Sequence, residues 1–179
     1  MGEGAWLIAF VMAQRLAELG LAQWNTLRLR QKGAVEVGAA HYPLLVALHA
    51  FWLLGLWLLG HARSVNLFWL GLFVPLQLAR VWVIASLGSR WTTRIIVLPG
   101  AAPVARGPYR YLRHPNYLIV ILEIAVVPLA LGLPVFALLF SLANAALIVW
   151  RIHVENAALA WAAGDVALAP TLANETVRR

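Results

Sequence analysis

Apolar residues dominate most of the chain, and polar ones gather in a few places between them. The first apolar stretch runs over 5–27 and is interrupted by Gln14, Arg15, Glu18 and Asn25. Gln14, Glu18 and Asn25 fall at helical spacing on one side, which predicts a span turning that side toward the protein interior. Arg15 and Glu18, three residues apart, can pair and lower each other's insertion cost. A polar loop with Arg28, Arg30, Lys32, Gly33 and Glu36 leads to Pro43, which opens a second span ending at Gly60 and broken only by His49. After a short connection with His61, Arg63 and Asn66, the third span covers 65–87 and carries Gln77 and Arg80 one turn apart.

The longest polar stretch follows, 88–116, with Arg90, Arg94, Arg106, Arg110 and Arg113 set among Pro99, Gly100, Pro103, Gly107 and Pro108. Such a density of Pro and Gly predicts a loop of turns. A helix restarts at Pro115, since proline suits the first helical position. The run 117–150 is too long for one crossing, and Gly132-Leu133-Pro134 divides it into a tight hairpin of about 116–131 and 134–151. Residues 152–164 are expected as a helix leaving the membrane, followed by a mobile tail. The fold class is therefore an all-α membrane protein of about five transmembrane helices, in a single domain over 1–179. Its N-terminal spans are 5–27, 43–60 and 65–87, and its catalytic region is 88–165.

Composition agrees. The chain is 63% hydrophobic, has a mean hydropathy of +0.80 and is only 12% charged, where a soluble domain carries about a quarter charged residues. A core of this size cannot hide so much apolar surface, so lipid must cover the rest. Trp6, Trp24, Trp52, Trp57, Trp69 and Trp91 lie in or near the spans, several close to the ends, as interfacial anchors would. The net charge of +7 is accordingly a matter of topology rather than of nucleic-acid binding. With the N-terminus outside, the inner segments hold Arg28, Arg30, Lys32, Arg90, Arg94, Arg106, Arg110, Arg113, Arg151, Arg178 and Arg179, and the outer ones only Arg63. That asymmetry puts the long loop and the C-terminus in the cytoplasm. Thirteen of the fourteen basic residues are arginine, beside abundant Ala and Leu, which suggests a GC-rich bacterial genome and hence an inner membrane. Glu3 without a basic leader argues against a cleaved signal peptide. With no cysteine, thiolate chemistry and disulfides are excluded.

Two patches carry chemistry. The denser is Gly107-Pro108-Tyr109-Arg110-Tyr111-Leu112-Arg113-His114-Pro115-Asn116-Tyr117. The helix start at Pro115 favours an anion, Tyr109 and Tyr117 offer faces for an adenine or a cation, and Arg113 can grip a carboxylate with two prongs. The plainer alternative is a basic interfacial loop with tyrosine anchors. The second patch is Asn144, Arg151 and Glu155, spaced along one helix face; alternatively Arg151 and Glu155 form only a surface pair. Glu123, within the fourth span, is a candidate substrate-binding carboxylate by its position, or a structural partner of Arg80 or Arg15. His41, His49 and His153 are too scattered for a metal site, and none is assigned.

The run Gly107–Tyr117, followed by a helical hairpin and then Arg151-x-x-x-Glu155, resembles the isoprenylcysteine carboxyl methyltransferase family of membrane enzymes over roughly residues 80–165. The first half, with Glu18, Asn25, Gly33, Glu36, His41 and Tyr42, looks like a short bacterial branch, some members of which O-methylate long-chain alkylpyrone or phenolic lipids. The resemblance implies S-adenosylmethionine as cofactor, in a pocket formed by the cytoplasmic loop and the C-terminal helix. It implies that Ala101, Ala102, Pro103, Val104, Tyr109, His114, Pro115, Asn116, Tyr117 and Glu155 hold that cofactor. Arg151 and Arg113 would act at the acceptor's acidic group, aligning an oxygen anion with the methyl group rather than neutralising it. The family often has two adjacent acids after the arginine; here Asn156 follows Glu155. The partners implied are a prenylated or otherwise lipophilic acceptor and membrane lipid, with no nucleic acid and no obligate protein partner. The loop 88–116 is expected to act as a lid. The alternatives are a sterol-reductase-like enzyme, a phospholipid N-methyltransferase, whose amine substrate would face two arginines, and a small membrane transporter or subunit. The lack of an internal repeat weakens the transporter.

Overall fold

The computed structural model of the chain describes residues 2–164. Five helices make up the body: α1 Glu3–Gln31, α2 Tyr42–Gly60, α3 Leu67–Leu87, α4 Pro115–Ala130 and α5 Pro134–Ala162. Four of the five helical segments are long and apolar enough to cross a membrane, while α4, with 16 residues, is shorter. At a rise of ~1.5 Å per residue α4 reaches only about 24 Å, less than a full hydrocarbon core. The outer faces bear exposed Leu16, Leu58, Phe68, Leu78, Val81, Leu138 and Leu142, the lipid-facing pattern of an integral membrane protein.

Two expectations need adjusting. The first helix runs one turn beyond 27, to Gln31, and the last is one continuous helix to Ala162 rather than a span with a separate extension. The polar loops also hide a small sheet. Strand β1, Val35–Val37, pairs antiparallel with β2, Ile95–Val97, in the register Val35 to Val97 and Val37 to Ile95. Each strand is three residues long, too short for alternation to announce it in the sequence. The tail expected after residue 164 lies outside the described residues.

One end of the bundle holds the sheet and the long loop; the other holds the chain start and the tight turns. At that other end the Gly4 amide donates to the Arg63 carbonyl, the Asn66 amide to the Ala130 carbonyl, and Arg63 reaches the Gly132 carbonyl. Asn66 caps α3, its side chain accepting from the Phe68 and Trp69 amides at 3.0 and 3.4 Å. The main core lies toward this end, around Ile8, Trp52, Leu56, Phe73, Ile124 and Leu131. Toward the loop end a second cluster packs Val37, Ile95 and Val97 of the sheet onto Val154 and Ala158 of α5. Helix α4 is packed most closely, between α3 and α5.

Candidate functional site

At the loop end three pieces of chain converge. Pro115 starts α4 and is buried there, which delivers Asn116 and Tyr117 on the first turn. The last turns of α5 bring Arg151 and Glu155 onto one face. Residues 91–94 cross over them toward β2, pinned from α1 by Asn25, whose side-chain amide donates to the Trp91 and Gly88 carbonyls at 2.8 and 3.2 Å.

Tyr117 ties these pieces together. Its hydroxyl donates to Glu155 and accepts from Arg151 Nε at 2.7 Å. Arg151 is 7% exposed; its Nη2 donates to the Thr93 carbonyl at 2.7 Å, and its guanidinium lies 5.6 Å from the Tyr117 ring centroid. Among the described residues Arg151 and Glu155 form no direct ion pair, so the surface-pair alternative does not describe them. The His114 ring stacks on Tyr117 with centroids 5.4 Å apart, and its Nε2 meets Asn156 Oδ1 at 3.0 Å. The residue standing where a second acid was expected thus fixes the histidine.

Two cavities open on either side of this junction. The loop-side cavity, about 190 Å³, is walled largely by residues 87–117 together with Arg151, Glu155 and Leu159. The membrane-side cavity, about 250 Å³, is mostly apolar and takes residues from all five helices, the largest share from α2, among them His49, Val120, Asn144 and Ile148. Trp91, Thr92, Asn116, Tyr117 and Arg151 line both. Asn116 Oδ1 and Trp91 Nε1 are buried there with no partner among the described residues.

Most of the predicted residues line these spaces; Pro115, buried at the start of α4, lines neither. Ala101, Ala102, Pro103, Val104, Tyr109, His114, Asn116, Tyr117 and Glu155 all line the loop-side cavity, and Arg90 holds the Ala102 carbonyl at 2.6 Å. Arg151 lines both cavities; Arg113 is exposed and lines only the loop-side one. Burial pushes the Tyr109 phenol well above its usual range and the Glu155 carboxylate adds to the shift, so Tyr109 stays a protonated donor. Gly107 has φ +57°, and a Cβ there would fall 2.0 Å from Ser86 Oγ; the turn before Tyr109 therefore requires glycine.

Glu123 lines neither cavity. It is 1% exposed and accepts from Arg80 Nε at 2.9 Å, from Gln77 at 2.7 Å and from Arg15. Arg80 also reaches Glu18 at 3.2 Å, and Arg15 pairs with Glu18 at 2.8 Å. Two arginines and two glutamates from α1, α3 and α4 close a charge-balanced layer inside the bundle, as buried charges require.

Sequence reasoning gave no role to Thr92, Thr93 or Tyr42 and missed the cavity role of Asn144. Thr93 is held by the Tyr42 hydroxyl at 3.2 Å as well as by Arg151. Only the position of Asn144, seven residues before Arg151, signalled it. Arg94, counted among loop charges, pairs with Glu36 of β1 at 2.6 Å and lies 4.2 Å from the Tyr42 ring centroid.

Residues 69–161 match the family described as Isoprenylcysteine carboxyl methyltransferase (ICMT) family. The chain is 39% identical over 158 residues to Uncharacterized protein YpbQ of Bacillus subtilis (strain 168), covering 86% of this chain and 94% of that protein. No solved structure matches.

Proposed function

The chain belongs to the isoprenylcysteine carboxyl methyltransferase family, and on that footing we propose that it is an S-adenosylmethionine-dependent O-methyltransferase acting on a lipophilic acceptor at the inner face of a bacterial membrane. The observation that carries this is the pair of cavities sharing one wall at Tyr117 and Arg151. A polar donor and an apolar acceptor need separate spaces with a common boundary, which is how these two cavities are arranged.

The donor set of the loop-side cavity suits S-adenosylmethionine. Glu155 supplies a carboxylate for an ammonium group or ribose hydroxyls, Arg113 at the rim a cation for a carboxylate, and Asn116 Oδ1 an unpartnered acceptor. Ile95, Leu98 and Leu159 supply apolar walls for a base. Bound there, the sulfonium supplies an electrophilic methyl group. The remaining work is alignment of two reactants.

Arg151 does that aligning. Tyr117 and the Thr93 carbonyl fix its Nε and Nη2, while its Nη1 makes no hydrogen bond to the described residues and is left to an acceptor oxygen. A carboxylate or an acidic phenol or enol is anionic near neutrality and needs orientation more than a base. An amine acceptor, as in phospholipid N-methylation, would meet this guanidinium as a like charge. Arg113, on the loop-side cavity only, serves the donor in this reading. Among the described residues the loop end carries nine of the twelve Lys and Arg, which supports its facing the cytoplasm.

The test is calorimetric titration of S-adenosylhomocysteine into the detergent-purified protein. Saturable micromolar binding, lost in Glu155→Ala, is the expected result. No binding by a folded sample would remove the methyltransferase reading and favour a transporter.

A further inference from the structure

We propose that the membrane-side cavity holds a second recognition point, formed by Asn144 and His49, for an uncharged hydrogen-bonding group on the acceptor. The acceptor is then an amphiphile with a hydroxyl, carbonyl or amide partway down its chain, as well as the oxygen that takes the methyl group. This rests on the methyltransferase reading and narrows its substrate class.

Asn144 is 0% exposed, and neither its Oδ1 nor its Nδ2 has a hydrogen-bond partner among the described residues. It nevertheless lies on the wall of the membrane-side cavity. A buried amide with both ends unpaired destabilises the fold, and buried amides are nearly always paired. A ligand in the cavity supplies the missing partners. Across from it, on α2, His49 Nδ1 lies 2.8 Å from the Leu45 carbonyl. A carbonyl only accepts, so Nδ1 carries a proton, and Nε2 of that neutral tautomer is an acceptor.

Depth sets the spacing. Asn144 lies seven residues before Arg151 on α5, and His49 seven residues after Tyr42 on α2. Tyr42 and Arg151 are joined at the junction through Thr93, and α2 packs against α5. Two helical turns separate the levels, so the second group sits about 10 Å from the methylated oxygen. Leu45, Val46, Val120 and Ile148 line the cavity alongside, which suits hydrocarbon. Charge sets the chemistry. Arg15 and Arg80 reach this cavity but are matched by Glu18 and Glu123, so away from Arg151 no net charge awaits a partner.

The experiment titrates octadecanoate and 10-hydroxyoctadecanoate, whose hydroxyl sits about that far from the carboxylate, into the full-length protein, with and without S-adenosylhomocysteine. The hydroxy acid should bind roughly tenfold tighter, one hydrogen bond's worth. Asn144→Leu should abolish the preference, without lowering the melting temperature, because it removes an unpaired buried amide. His49→Leu, as a second variant, should reduce it. Equal affinity for the two acids, binding of neither, or a preference that survives both substitutions would overturn the proposal. Failure of S-adenosylhomocysteine to bind while the acids are still distinguished would strike the methyltransferase reading alone.

Discussion

The loop-side cavity draws most of its wall from one run of chain, 87–117, closed by the last turns of α5. The membrane-side cavity takes residues from each of five helices, scattered along the sequence. A wall made of consecutive residues leaves a compact motif, whereas a wall assembled by helix packing leaves isolated polar residues that look structural until their neighbours are known. The two also differ in how they are held. The loop-side cavity hangs on backbone pins such as Asn25 to Trp91 and Arg90 to Ala102; the membrane-side cavity is bordered by Arg15, Glu18 and Arg80 of the layer they form with Glu123.

The largest effect should come from that layer. Glu123→Ala would leave the 2%-exposed Arg80 with only Glu18, and removing one partner of a buried ion pair costs about 3–5 kcal/mol. Thermal unfolding in detergent should show a large fall in melting temperature, with S-adenosylhomocysteine binding kept at temperatures where the protein stays folded. An unchanged melting temperature, with acceptor turnover lost, would move Glu123 from scaffold to site and blur the distinction between the two regions.

Next in size is Arg151→Ala, which acts at the wall the two regions share. Removing a preorganised donor at the reacting oxygen lowers rates by on the order of 10²–10³. Methyl transfer should fall by that amount while S-adenosylhomocysteine affinity changes only a few-fold. Equal losses of binding and transfer would mean that Arg151 belongs to the cofactor cavity alone.

Much of this was legible in the sequence because its signals are local. Pro115 at a helix start, Gly132-Leu133-Pro134 as a turn and the inward side of α1 each follow from spacing of a few residues, and the helices, turn and buried Glu18 and Asn25 are where that spacing puts them. The cluster from Tyr109 to Tyr117 was visible for the same reason. The β1–β2 pairing was not, because its partners are 60 residues apart and each strand is three residues long. Nor was the division between Arg113 and Arg151. Both arginines were expected at the acceptor's acidic group, and only packing sets one at the rim of a single cavity and the other between two. Asn144 was grouped with Arg151 and Glu155 on one helix face and His49 stood alone in an apolar helix, and their common depth appears only when α2 and α5 are seen side by side.

The smallest effect probes the shared wall most directly. Tyr117→Phe keeps the ring that stacks on His114 and deletes the hydroxyl bridging Glu155 and Arg151. Glu155 loses a donor and Arg151 Nε an acceptor, so each cavity loses part of its positioning through one atom. Hydrogen bonds to charged groups are worth about 1.5–3 kcal/mol, but both ions keep other contacts or solvent. The expected result is roughly a tenfold loss in transfer with a few-fold loss in S-adenosylhomocysteine affinity, and the two losses should appear together. Their ratio is informative. A loss confined to cofactor binding would mean that the hydroxyl serves Glu155 and that Arg151 is held well enough by Thr93. A loss confined to transfer would mean that Glu155 stands alone and that the hydroxyl exists to aim the guanidinium. Joint loss is the signature of one side chain coupling a polar site to an apolar one.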